Sequence, residues 1–302
     1  MEDKEIYGMI YILAALIVAA LLILAEIYRE THRFVVTEYE IRTPKLPPEM
    51  EDKRIVFLSD LHNREYGEEN GKLLEKIREQ KPDLILCGGD MLVANRNTHG
   101  GRESSWGKAA ECMKKLTEFA PVYCALGNHE QRMLEDPENY GDSYWKYKKE
   151  LEQAGIHFLI NESCEMEWEG TRVLLHGIKM PSECYARFGR MEPSLQDMKD
   201  GLGQADPQAW NVLMVHHPEF VTIYKEWGAD LILSGHLHGG VMRLPVLGGV
   251  ISPQVGLFPK YSGDCYKEGD TSIVVSKGLG THTINIRLFN PAELIVLHIH
   301  GM

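Results

Sequence analysis

The sequence has no C-x-x-C pair, no stripe of Lys and Arg, no internal repeat and no low-complexity tract. Each absence excludes something. The six cysteines (Cys87, Cys112, Cys124, Cys164, Cys184 and Cys265) are spaced too irregularly for a disulfide framework in a chain of 302 residues. Cys87 and Cys124 lie in apolar runs, where a free thiol behaves as a small hydrophobe. Asp and Glu total 44 against 32 Lys and Arg, a formal net charge of -12. That argues against a nucleic-acid groove, which needs a basic footprint. An anionic substrate stays open, because bound cations invert a local field. The length suits one large domain or two small ones.

What is present begins with an uncharged run over residues 6–25. It has the ~20 residues a spanning helix needs. Tyr7, Tyr11 and Tyr28 fall near its ends, as interfacial aromatics do. A cleaved signal peptide fits less well: the core is long and Ala25-Glu26-Ile27 is a poor cleavage site. A buried soluble helix fits worse still. The expectation is a single-pass membrane anchor over 1–28, a strand and linker over 29–52, and a folded domain over 53–302. Lys4 precedes the span, while Arg29, Arg33, Arg42 and Lys45 follow it, which puts the domain in the cytoplasm.

After the linker the pattern alternates. Strands are expected at 54–58, 83–87 and 121–126, with helices at 70–80, 106–119 and 144–154. This βαβαβα order predicts a parallel sheet with helices packed on it. Short strands follow at 156–160, 164–168 and 171–175. Further strands are expected at 211–215, 231–234, 271–275 and 293–299, with a helix at 218–227. Two packed sheets with helices outside account for this order. The polar segments 94–105 and 178–206 are expected to shape a pocket.

The strand ends carry the chemistry. In order they are Asp60-Leu61-His62, Gly89-Asp90, Gly127-Asn128-His129-Glu130, His216-His217-Pro218 and Gly235-His236-Leu237-His238-Gly239-Gly240. Singly, each could be an ordinary turn or cap. Open α/β sheets, however, place ligands at the carboxyl ends of their strands, and here Asp, Asn or His recurs at five such ends. Oxygen and imidazole donors without thiolate suit Mn, Fe, Zn or Co better than a structural zinc site. One metal cannot take so many ligands; two metals sharing a carboxylate can.

This ordered series of D-x-H, G-D, G-N-H-E, H-x-P and G-H-x-H resembles the calcineurin-like metallophosphoesterase family over residues 53–240. The segments around 256–261 and 276–280 resemble its membrane-anchored bacterial branch. The resemblance implies a four-layer αββα sandwich and a phosphoesterase with two divalent metal ions. It implies that Asp60, His62 and His238 hold one metal, Asn128, His216 and His236 the other, and that Asp90 bridges them. It implies that His129 faces the scissile phosphate without ligating. His217 is left to back the site or face solvent. The chain departs from the family at Val241, where Gln is usual, which bears on a supporting or substrate contact and leaves the ligands intact.

The chemistry of the residues agrees. A phosphodiester repels hydroxide; two metals neutralise its oxygens and lower the pKa of a bridging water, and the resulting hydroxide attacks phosphorus. His129 as imidazolium can stabilise the equatorial charge or protonate the leaving oxygen. Asn63 and Arg64 follow the first ligand pair and are candidate phosphate contacts. Glu130 is expected to be solvent-exposed. His99, His157, His176, His282, His298 and His300 lie outside the pattern. The partners expected are a phosphoester, with a lipid-linked one among the options, and the membrane. The rival reactions are a lipid pyrophosphatase of the diacylglucosamine type and a nuclease, the latter disfavoured by charge. A non-catalytic binding module is disfavoured because all seven ligands are present.

Overall fold

A computed structural model describes residues 2–50, 52–96, 101–186, 189–252, 256–281 and 285–302. His99 and His282 lie outside the described residues. The chain opens with α1 (Glu2–Thr31), whose thirty residues run for roughly 45 Å at the usual rise. Its apolar span is not buried against the rest of the protein, which rules out a core helix. Only the last turn docks, where Glu30 and Thr31 are buried. The helix is long and apolar enough to cross a membrane.

Next come β1 (Phe34–Thr43), β2 (Lys53–Leu58), α2 (Gly71–Gln80), β3 (Leu84–Cys87), α3 (Gly107–Leu116) and β4 (Val122–Cys124). They are followed by α4 (Asn128–Glu135), α5 (Pro137–Tyr140), α6 (Ser143–Gln153), β5 (Ile156–Phe158), β6 (Glu162–Trp168) and β7 (Thr171–Gly177). The second half holds α7 (Leu195–Leu202), β8 (Trp210–Met214), α8 (Val221–Trp227), β9 (Leu231–Ser234), β10 (Arg243–Leu244) and β11 (Gly248–Gly249). The chain closes with β12 (Asp264–Glu268), β13 (Thr271–Val275) and β14 (Ala292–Gly301).

Two six-stranded sheets form, in the orders β1-β14-β2-β3-β4-β5 and β12-β13-β9-β8-β7-β6. Side-chain alternation along the central strands explains how they stack. In β2, Val56 and Leu58 face the layer of α2, α3 and α6, while Ile55 and Phe57 face the other sheet. In β8 and β9, Val212, Met214, Leu231 and Leu233 fill the space between the sheets. Leu213 and Ile232 face outward, against Val221 and Tyr224 of α8. Strands buried on both faces are mainly apolar, and here the exceptions are Lys53 and Arg54 at the start of β2, Asn211 in β8 and Ser234 at the end of β9. The result is the expected αββα sandwich, with one addition. β1 is not a separate connector: it pairs parallel with β14 along its whole length, so the chain just after α1 is built into the first sheet.

Candidate metal centre

The parallel strands β2, β3 and β4 in one sheet, and β8 and β9 in the other, all end at the same edge. The chain leaves each strand in a tight turn. Asp60, His62, Asp90, His236 and His238 all have left-handed backbones, with φ between 48° and 71°. Asp, Asn and His tolerate that region better than most residues, and such strain clusters at functional sites. Two glycines are required by contact. A Cβ on Gly127 would lie 2.1 Å from Asp90 Oδ1, and one on Gly235 would lie 2.2 Å from Asp60 Oδ2.

These turns bring three sets of donors together, each within 4.8 Å of one another: Asp60, His62 and His238; His62, Asp90 and His129; and Asp90, His216 and His236. The sets share His62 and Asp90, so they form one continuous centre. His62 Nε2 lies 3.2 Å from His238 Nε2. His216 Nε2 lies 3.2 Å from Asp90 Oδ2 and 3.7 Å from Asp60 Oδ1. His238 Nε2 lies 3.4 Å from Asp60 Oδ1. Asn128 opens α4 beside Gly127, and its Oδ1 is buried with no hydrogen-bond donor.

Support from behind fixes the ring orientations. His216 Nδ1 bonds Gly88 O at 2.8 Å, and His238 Nδ1 bonds Gly280 O at 3.1 Å. A carbonyl accepts only from N–H, so in its neutral form each ring has its lone pair on Nε2, as carbonyl-backed metal ligands do. Asp60 accepts from Ser59 Oγ at 2.6 Å and from the His236 amide at 3.1 Å. Asp60 and Asp90 are buried, and imidazoles are their close ionic neighbours.

Burial alone would raise the Asp90 carboxyl, but His216, His129 and His62 outweigh it and hold it well below the usual range. Burial opposes a charge on His216 as well, yet Asp90 and Asp60 push it up to about 10. Burial keeps His62 and His236 well below the ordinary histidine value. Converging lone pairs, two buried carboxylates and the donor-less Asn128 oxygen all call for cationic charge. The residues present therefore fit divalent metal ions.

The remaining expected residues fare differently. His129 Nδ1 accepts the Ala94 amide at 3.0 Å, so the neutral ring carries its proton on Nε2. Asn63 donates one side-chain N–H to Ser105 O at 2.6 Å. Arg64 bonds the Thr31 carbonyl at the end of α1. Glu130 corrects the expectation of exposure. It is 2% exposed and accepts the amides of Asp90, Met91 and Gly127. His217 is fully buried behind His236, its Nδ1 accepting the Glu219 amide at 3.3 Å.

Sequence reasoning named neither Tyr185 nor Asn290. Tyr185 stands edge-on to His236 with ring centres 5.1 Å apart. Asn290 donates to His238 O at 2.7 Å. Nothing local in the sequence ties either to the site. For Glu130 there was a signal: a Glu three residues after Gly127 can reach back to the start of a helix.

The model of the calcineurin-like phosphoesterase family matches residues 53–240, and the chain belongs to that family. It is 28% identical over 271 residues to the Bacillus subtilis metallophosphoesterase YkuE, across 89% of this chain and 86% of that protein. It is 25% identical to the Escherichia coli phosphodiesterase YaeI, across 76% and 75% of the two chains. A Danio rerio transmembrane protein with a metallophosphoesterase domain is 24% identical, across 93% of this chain and 60% of that one. Among solved structures, the Thermus thermophilus sulfate thiohydrolase SoxB is similar at a TM-score of 0.47 and 13% identity, over 84% of this chain and 57% of that one. The protein is a metal-dependent hydrolase acting on phosphoester bonds.

Proposed function

We propose that the protein hydrolyses a phosphodiester at a two-metal centre. Asp60, His62 and His238 would hold one metal, Asn128, His216 and His236 the other, with Asp90 between them. The observation that carries this is the chain of donor sets joined through His62 and Asp90. A bound metal pair supplies Lewis acidity toward the phosphoryl oxygens and a water of lowered pKa. The protein's part is to hold the carboxylates and ring nitrogens in place and to keep the ligand-facing nitrogens unprotonated. Gly88 O and Gly280 O hold the Nδ1 protons, so that the neutral rings would turn their Nε2 lone pairs toward a metal. His129 offers an Nε2–H as a fixed donor for charge growing on a phosphoryl oxygen. Because Ala94 N–H occupies Nδ1, the ring stabilises charge better as a hydrogen-bond donor than as a proton-losing acid. The phosphodiesterase YaeI supports the choice of diester.

The chain is read as an anchor over 1–28 and a catalytic domain that takes in β1 together with 53–302, single-pass and cytoplasmic by its Lys and Arg bias. A lipid pyrophosphatase is the second reading, favoured by the Arg64–Thr31 bond that ties the end of α1 to the loop carrying His62. Assaying the metal-loaded full chain in detergent against phosphomonoesters, diesters and lipid pyrophosphates tests both. Turnover of diesters above the other classes is the expected result; preference for the pyrophosphate would replace the first reading with the second.

A further inference from the structure

Outside α1 and among the described residues, six of the nine exposed large apolar side chains lie on three neighbouring loops, while Trp145, Met191 and Met302 lie elsewhere. Val246 and Leu247, Leu257 and Phe258, and Ile286 and Phe289 sit on three loops, with Val246 entirely exposed and Leu257 at 69%. The loops are laced together. Arg243 N donates to Leu288 O at 3.1 Å, and Phe258 N to Val250 O at 3.0 Å. Val246, Leu247, Phe258 and Phe289 line one cavity of about 530 Å³, so they share a face.

The backbone at these tips is unusual. Val246, Phe258 and Phe289 have φ of 69°, 49° and 53°. Bulky or β-branched residues rarely adopt that conformation. Here it turns three apolar side chains outward at once. Strain and water-exposed apolar surface both oppose folding, and a contiguous patch of this kind marks an interaction surface.

The patch adjoins the metal centre and the end of α1. Arg243 Nη1 lies 3.4 Å from Gly239 O, and Asn290 binds the carbonyl of His238. Arg287, between the two apolar tips of its loop, bonds Gly280 O at 2.8 Å, the same carbonyl that backs His238. On the other side of the centre, Arg64 holds the carbonyl of Thr31. Glu30, in the last turn of α1, is among the charges acting on the buried Arg287. The helix end, the His238 turn and the apolar tips therefore belong to one edge of the domain.

We propose that Val246, Leu247, Leu257, Phe258, Ile286 and Phe289 form a rim that inserts into the lipid surface and seats the metal-centre edge on the bilayer that α1 crosses. The proposal rests on reading α1 as an anchor. Charge does not drive this docking. The chain carries a net -12, and the rim cations are already paired, Arg243 with Asp264 and Lys260 with Glu268. Apolar insertion is what remains. A site seated in this way meets phosphoesters carried at headgroup level.

The test reconstitutes the full chain in phosphatidylcholine vesicles, with and without brominated acyl chains. Phe258→Trp and Val246→Trp are compared with the parent chain and its five native tryptophans. Both positions are exposed, so at least one variant should fold. Flotation reports the anchor, and loss of the added emission reports insertion. The expected result is flotation together with a blue-shifted added signal that brominated lipid removes. A chain that floats with both added tryptophans unquenched overturns the rim and leaves the anchor intact. A chain that does not float overturns the anchor, and the rim with it.

Discussion

Glu130 and Asp90 hold each other's loops. The Glu130 carboxylate accepts the backbone amide of Asp90 at 2.8 Å, while the Asp90 carboxylate accepts the amide of His129, next to Glu130, at 2.7 Å. The turn after β3 and the start of α4 are thereby locked in register. Two buried acids so close oppose each other's charge: burial first and Asp90 second push Glu130 up to about 7. The backbone amides restrain that rise.

Glu130→Ala should therefore damage the site from behind. It leaves the amides of Asp90, Met91 and Gly127 without their acceptor. An unsatisfied buried group costs about 1–3 kcal/mol, so the loss of stability should reach at least that range. Denaturant unfolding of the variant measures it. A change under about 0.5 kcal/mol, the size of an ordinary surface substitution, would refute the clamp.

His129→Ala should keep the fold and the metal content and lose about 10²–10³ in kcat, the usual effect of removing one charge-stabilising donor. KM should change little, because the interaction strengthens in the transition state. The sequence left acid and donor roles open. The Ala94 amide on Nδ1 favours the donor role, which predicts equal defects for nitrophenyl and alkyl esters. A defect confined to alkyl leaving groups would restore the acid role.

One pH effect lies away from the centre. His298 on β14 bonds Asp52 at 3.0 Å and Glu38 at 3.1 Å. Burial opposes its charge, but Asp52 prevails and raises it above the ordinary value. Burial would raise Asp52, and His298 with Arg54 lowers it instead. The histidine contribution is full below its unfolded pKa of about 6.5 and is lost as pH rises through the folded value. The aspartate contribution is lost in acid. His298→Gln should thus destabilise by up to about 1 kcal/mol near pH 5.5 and by nothing near pH 9, the range of a partly exposed pair. Thermal unfolding at the two pH values checks it; equal shifts would contradict the pairing.

The sheets and the cluster of candidate donors were legible because the signals are local. An apolar run ending in Asp or His at a glycine turn announces both a strand and the residue beyond it. Glu130 was legible only in part: its reach back to Gly127 has a local signal, while its burial depends on the amides of Asp90 and Met91, about forty residues earlier. β12 was missed because Asp264–Glu268 is an edge strand, paired only with β13, and its charged residues mask the period. α7 was missed inside a polar segment, although Ser194 and Asp197 form a capping pair that marks its start. Tyr185 and Asn290 reach the histidines from other parts of the chain, which only the fold brings near.

The central claim is that Asp90 joins two metal sites. Metal content per folded chain, measured by elemental analysis after gel filtration, tests it most directly. The account predicts two metals in the parent chain, about one in His238→Ala, and a loss from both sites in Asp90→Asn. Two tightly held metals in Asp90→Asn, or a single metal in the fully active parent chain, would contradict it.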